Sequence, residues 1–171
     1  MSSIIKRYLC FCSLFKNKKK NKERRISVNN LQDANWDNTV SFVPPVTRGK
    51  VIKVYDGDTI TIASKLPYKS SEMYRFSVRL RGIDSPEIKS KSLAEKDLAM
   101  NSKMCLSNVI LGQIVELKNV STEKYGRILA DVYIDNVNVN TWMLENKLAM
   151  PYDGGKKTRP PEWQDHSSDD E

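Results

Sequence analysis

Asp56-Gly57 lies between two runs of β-formers, Val51-Ile-Lys-Val-Tyr55 and Thr59-Ile-Thr-Ile62, and this arrangement constrains the chain more than any other feature. Asp-Gly flanked by such runs signals a β-hairpin. A third strand is expected over about 73–82. Period-2 alternation there puts Phe76, Val78 and Leu80 on one face and Ser77, Arg79 and Arg81 on the other. A helix follows: Ser92 and Glu95 have capping-box spacing, Ala94, Leu98, Cys105 and Val109 form a one-sided apolar stripe, and Gly112 stops it. Two more strands are expected over about 113–120 and 127–134, then a short helix over about 139–146 that carries Val139, Trp142 and Met143 into the core. Three strands, a helix, two strands and a helix make an OB-type order. The expected fold is a mainly β, α+β domain: a small five-stranded barrel with two packed helices between flexible tails.

The charge is unevenly spread, which decides how the formal +7 is read. Residues 1–27 hold nine Lys/Arg against one acid, and residues 162–171 hold five acids and no base. The intervening stretch has nineteen bases and fifteen acids, so phosphate binding by the folded part must come from placed arginines rather than bulk charge. The chain accordingly divides into a basic tail (1–27), a linker and entry strand (28–47, with Asn29-Asn30 and Pro44-Pro45), a domain (48–161) and an acidic, disordered tail (162–171). Three sparse cysteines suit a reducing, intracellular compartment rather than a disulfide scaffold.

Tyr8–Phe15 is apolar for only eight residues, too short to span a bilayer, and Lys16-Asn-Lys-Lys-Lys20 follows where a signal peptide would have small residues. Cys10 and Cys12 beside aromatics and a polybasic run are instead candidates for S-acylation, a two-signal peripheral membrane anchor. Ser2 excludes N-myristoylation. A nuclear-import run and a plain disordered tail are the competing readings.

Three short motifs fall at separate points of the expected barrel: Tyr55-Asp-Gly-Asp-Thr59, Arg79-Leu-Arg-Gly-Ile-Asp-Ser-Pro-Glu87 and Glu123-Lys-Tyr-Gly-Arg127. Each alone is weak, but their order and placement over residues 48–152 resemble the staphylococcal nuclease family. Asp58 opens one strand and Asp84 ends another, so both carboxylates can converge on one hard cation and leave positions for water and a substrate oxygen. Glu87, held by Pro86, can orient or deprotonate a water, and Arg79 and Arg127 supply planar forks for phosphate oxygens.

The resemblance implies a calcium-dependent phosphodiesterase acting on DNA or RNA, with one Ca2+ held by Asp58, Asp84 and the backbone carbonyl of Ser85. Arg79, Glu87 and Arg127 are the implied catalytic residues, with attack expelling the 5′-oxygen to leave 3′-phosphorylated products. Tyr125 and Tyr152 match aromatic positions that contact the substrate, where stacking tolerates any base. Asp56 is either a group next to the metal ligands or simply a turn residue, and Arg81 reads as a solvated surface residue.

Other chemistries fail. Counted from Asp56, an EF-hand loop would need Gly at Thr61 and Glu at Pro67, and Gly154-Gly-Lys-Lys-Thr158 has Lys157 at the Ser/Thr position of a P-loop. The single histidine, His166, lies in the acidic tail, so a His base and a zinc cluster are excluded. The alternative functions are a catalytically inactive OB module that binds nucleic acid or protein, and a membrane-tethered scaffold. A third C-terminal helix, present in the secreted bacterial enzyme, has no counterpart after Tyr152, and residues 64–75 lengthen the link between the second and third strands. A monomer is expected.

Overall fold

The computed structural model describes residues 31–157 and 159–163. The acylation candidates Cys10 and Cys12, the whole of 1–27 and His166 lie outside them. The chain divides into two units, Met1–Ser41 and Phe42–Glu171. In the described part of the first, a 3₁₀ turn at Leu31–Asp33 precedes a turn in which Asn35 and Asn38 exchange hydrogen bonds between side chain and backbone, at 2.8 and 3.1 Å.

The second unit is the barrel. Its long strands are β1 (Arg48–Val54), β2 (Thr59–Lys65), β3 (Met73–Leu80), β5 (Ile114–Thr122) and β6 (Ile128–Ile134). They pair antiparallel in the order β3-β2-β1-β5-β6, and a parallel β3–β6 pairing closes the ring. This is the expected five-stranded OB-type barrel, with helix α1 (Leu93–Ile110) between its third and fourth strands and helix α2 (Val139–Glu145) after the fifth. Short strands add β4 (Ile83–Asp84) paired to β8 (Met150–Pro151), and β7 (Val137–Asn138) on β6. Because β2 and β3 run through Lys65 and Met73, the long link expected over 64–75 is only residues 66–72.

Ile60, Ile62, Val78, Leu80, Val115 and Val132 fill the interior with no exposed surface. Burying each such side chain contributes about 1.5–3 kcal/mol. Val139 and Met143 of α2 join them as expected, with Trp142 packed at the edge. Asn140 of α2 is buried with its bonds made: it accepts from Val132 N at 3.0 Å and donates to the carbonyls of Arg81 and Ala130. That ties the end of β3, where the long motif begins, to β6.

Two expectations are corrected. Ser92 does accept the N–H of Glu95 as N-cap, and Gly112 does follow the helix with φ at 80°. The buried face, however, is Glu95, Ala99, Ser102, Leu106 and Ile110, while Leu98 and Val109 are exposed. Two polar residues on the inner face displaced the apparent stripe, because each has an internal partner. Arg81 is likewise no solvated surface residue. It is half-buried and donates to Asn119 O, Ser121 Oγ and Leu129 O, filling the irregularity in the β5–β6 ladder between Lys118 and Ser121.

Residues on either side of 48–161 also pack against the barrel unit. Val46 is buried, Thr47 O accepts Leu117 N at 2.7 Å, and Trp163 is only 7% exposed. Among the described residues no helix is long and apolar enough to cross a membrane.

Candidate active site

Asp58 stands at the end of the β1–β2 loop, immediately before β2. Its carbonyl accepts Leu80 N at 2.8 Å, which ties its backbone to the end of β3. Gly57 lets the loop lie flat: a Cβ there would come within 2.0 Å of Ser102 Oγ on α1 and 2.7 Å of Ser85 Cβ. The glycine is thus required by close packing against α1 and the end of β4.

Asp84, on β4, is positioned by its pairing with Met150. Both carboxylates are buried, at 3% and 5% exposure, and a single guanidinium joins them. Arg79 donates through NH1 to Asp58 Oδ1 at 2.5 Å and through NH2 to Asp84 Oδ1 at 2.8 Å. Burial by itself would lower the Arg79 pKa, but Asp58 and Asp84 outweigh it and raise it above the usual value, so the fork stays charged. Asp58 is further held by Thr59 Oγ1 on Oδ1 and by the Ser85 N–H on Oδ2. Buried ion pairs need such extra hydrogen bonds to offset desolvation.

Glu87 follows one turn later. Its backbone N–H donates to Glu95 Oε1 at 3.1 Å, and Ser90 Oγ donates to Glu95 Oε2 at 2.5 Å. Glu95 is 1% exposed, a buried carboxylate under the loop that carries Glu87. The Glu87 side chain faces outward, about half exposed, and accepts Lys157 Nζ on Oε1 at 3.0 Å.

Arg127 precedes β6 beside the parallel seam, where Ile128 pairs with Val78 and Leu129 with Arg79. Its Nε donates to Glu123, and NH1 lies 3.4 Å from Thr59 Oγ1. Tyr125, at the tip of the β5–β6 turn, is 72% exposed, with the Arg127 guanidinium 5.9 Å from its ring centre. Tyr152 flanks the other side: the Arg79 guanidinium lies 5.9 Å from its ring centre, and its N–H donates to Gly82 O. Asp56 accepts the Asp58 N–H at 3.2 Å. Burial, then the neighbouring Asp58 charge, pushes Asp56 up to about 6.

The side chains expected from the motifs therefore meet. Asp56, Asp58, Arg79, Ser85, Glu87 and Arg127 line one cleft of about 470 Å³. Asp84, joined to Arg79, lines a neighbouring depression with Tyr152 instead. Tyr125 stands outside both, in contact through Arg127. Lys53, Lys89 and Lys103 add amines to the cleft wall.

The donor chemistry suits a hard cation: two adjacent buried carboxylates, a backbone carbonyl at Ser85, and no thiol or imidazole lining the cleft. Among the described residues no group of three or more His, Cys, Asp or Glu is arranged to hold a metal by itself. A cation taken up here would have few protein ligands, an arrangement that binds weakly without substrate.

Sequence reasoning missed Glu95 in its anchoring role, Thr59, Lys157 and Arg159. Only Glu95 carried a signal, and the capping-box spacing explained it away. In the sequence Lys157 stands out only as the residue that spoils a P-loop.

Comparison with known proteins places the site in a family. The sequence profile described as "Staphylococcal nuclease homologue" matches residues 77–168. An uncharacterized endonuclease of Haemophilus influenzae is 36% identical over 103 residues, covering 60% of this chain and 51% of the relative. An uncharacterized endonuclease of Escherichia coli is 33% identical over 106 residues, 61% of each chain. A probable staphylococcal-like nuclease of Oryza sativa subsp. japonica is 30% identical over 78 residues, covering 46% of this chain and 22% of the relative. The chain thus spans half to about three-fifths of the length of the two bacterial relatives.

Proposed function

Because this chain belongs to the staphylococcal nuclease homologue family, we propose that it is a calcium-dependent endonuclease, hydrolysing phosphodiester bonds of DNA or RNA as a monomer. The observation that carries this reading is the bridge of Arg79 between Asp58 and Asp84, beside a cleft that Asp58, Arg79, Glu87 and Arg127 line together. A stability role alone accounts poorly for two buried carboxylates on one guanidinium beside an open cleft, since apolar packing would serve as well.

In this reading Asp58, Asp84 and the Ser85 carbonyl hold the ion. When bound, calcium supplies a charge sink for the phosphoryl oxygens and acidifies water. Arg79 binds a non-bridging phosphate oxygen from the strand side, and Arg127 does so from across the seam. Their planar forks gain strength as charge develops on phosphorus, so each contributes on the order of 10²–10³ in rate. Glu87 aims a water at phosphorus and takes its proton. The bond to the 5′-oxygen breaks, leaving a 3′-phosphate. Tyr125 and Tyr152 offer ring faces to bases, a sequence-tolerant contact.

The test is to incubate the 171-residue chain with single-stranded DNA, RNA and duplex DNA, in calcium or in chelator, and to identify the ends. Calcium-dependent cleavage giving 3′-phosphates, slowed by orders of magnitude but still measurable in Glu87→Gln, is the expected result. A folded, calcium-supplied protein that cuts none of the three would leave a nucleic-acid- or protein-binding module instead.

We further propose, from sequence alone, that residues 1–27 act as a peripheral membrane address through acylated Cys10 and Cys12 and the basic run. Replacing both cysteines with serine is expected to move the protein out of the membrane fraction. An unchanged distribution would overturn the idea.

A further inference from the structure

Among the described residues after β8 the chain forms only a 3₁₀ turn at Pro161–Trp163, and it stays beside the site. Tyr152 is fixed by its N–H on Gly82 O, and its hydroxyl donates to Gly155 O at 3.0 Å. Gly155 N in turn donates to Asp153 Oδ1 at 2.9 Å. At the far end Trp163 is buried, and its carbonyl accepts Ser92 Oγ at the start of α1. Between these anchors the strap carries two cations to the catalytic carboxylates. Lys157 Nζ lies 2.9 Å from Asp84 Oδ1 and 3.0 Å from Glu87 Oε1. Arg159 lies 3.8 Å from Glu87 Oε2 and 3.6 Å from Glu95 Oε2.

The fold has little use for the two pairs made to Glu87. The Lys157, Arg159 and Glu87 side chains are 43%, 51% and 47% exposed, and ion pairs of that kind contribute about 0–1 kcal/mol. They do have a geometric effect. The Glu87 backbone is pinned by Glu95, while its carboxylate projects into solvent with several torsions to explore. Lys157 and Arg159 face its two oxygens separately, and Lys157 links one of them to the fixed Asp84. A carboxylate that must aim a water loses rate steeply when it wanders, because misplacement of a reacting group by about 1 Å can cost 10²-fold.

We propose that Lys157 is a positioning residue for Glu87, held there by the segment that runs from Tyr152 past the cleft to Trp163. This rests on the nuclease reading for its kinetic consequence, but not for the contact itself.

Two measurements test it. Steady-state kinetics would compare wild type, Lys157→Met, Lys157→Arg, Glu87→Gln and the double variant Lys157→Met/Glu87→Gln, with melting curves checking that each is folded. The expected result is a kcat about tenfold lower for Lys157→Met with KM nearly unchanged, and most of that loss recovered in Lys157→Arg. The double variant should be no slower than Glu87→Gln, since partners acting through one group are not additive. Losses that multiply in the double variant, or an unchanged kcat in Lys157→Met, would overturn the proposal. Independently of any cleavage, acylation of the chelated full-length protein, read by mass spectrometry, should modify Lys157 several-fold more slowly than its exposed neighbour Lys156. Equal rates would show that the contact does not exist, whereas slow Lys157 acylation in a protein that cuts nothing would sink only the nuclease reading.

Discussion

Glu95, on the first turn of α1, accepts the backbone N–H of Glu87 across the loop that joins β4 to the helix. One buried carboxylate thereby sets the position of another that faces the cleft. Replacing Glu95 with glutamine would turn an acceptor into a donor facing Glu87 N–H, Ser90 Oγ or Arg159. The expected cost is about 1–3 kcal/mol in urea unfolding, the range for stranding a buried polar group. Cleavage should fall as well. A Glu95→Gln protein with wild-type midpoint and wild-type kcat would show that the loop does not depend on this anchor.

Arg127→Lys keeps the charge and loses the fork. Because the proposed role is planar donation to phosphate oxygens, lysine should recover little of what alanine loses. Both variants are expected to lower kcat about 10²–10³-fold. A lysine variant within a few-fold of wild type would mean that Arg127 acts only as a point charge.

Gly57→Ala places a methyl carbon against Ser102 and Ser85. Overpacking of this kind costs about 1–3 kcal/mol. Chemical denaturation should show it, and activity should fall too, since the displaced loop carries Asp58. Unchanged stability would show that α1 can move aside.

Asp56 gives the pH dependence. Its folded pKa of about 6 exceeds the ordinary 3.8, so the folded state holds the proton more tightly than the unfolded chain. Its contribution to stability is therefore complete below about pH 4 and is lost as pH rises through about 6. Comparing unfolding of wild type and Asp56→Asn in chelator across that window isolates the effect. The wild type should lose stability relative to the variant as pH rises, and the opposite slope would show that Asp56 is ionised throughout.

Much of this architecture was legible because it rests on short-range rules. Alternation at Val78 and Leu80 announced β3 and turned Arg79 away from the core, and the Asp-Gly loop announced the hairpin that delivers Asp58. What was hidden depends on partners remote in sequence. Leu98 and Val109 read as a core stripe, yet the helix buries Ser102 and Glu95, because Leu148 O and the Glu87 loop supply their hydrogen bonds. Arg81 looked like solvated surface because the carbonyls it ties together lie 38 and 48 residues away. Lys157 and Trp163 stand in a stretch whose Gly-Gly and Pro-Pro pairs suggest a tail. Only Trp163 packing beside α1 turns that stretch into a strap.

The parallel seam between β3 and β6 has a consequence for synthesis. Asp58, Arg79 and Asp84 leave the ribosome within one short span, but Arg127 is made some time later, and it reaches them only when β6 docks beside β3. A nascent or partly unfolded chain therefore carries most of the catalytic groups without their constellation. On the nuclease reading, the site would be complete only once β6 has docked on β3 and β8, made later still, has paired with β4 beside Asp84.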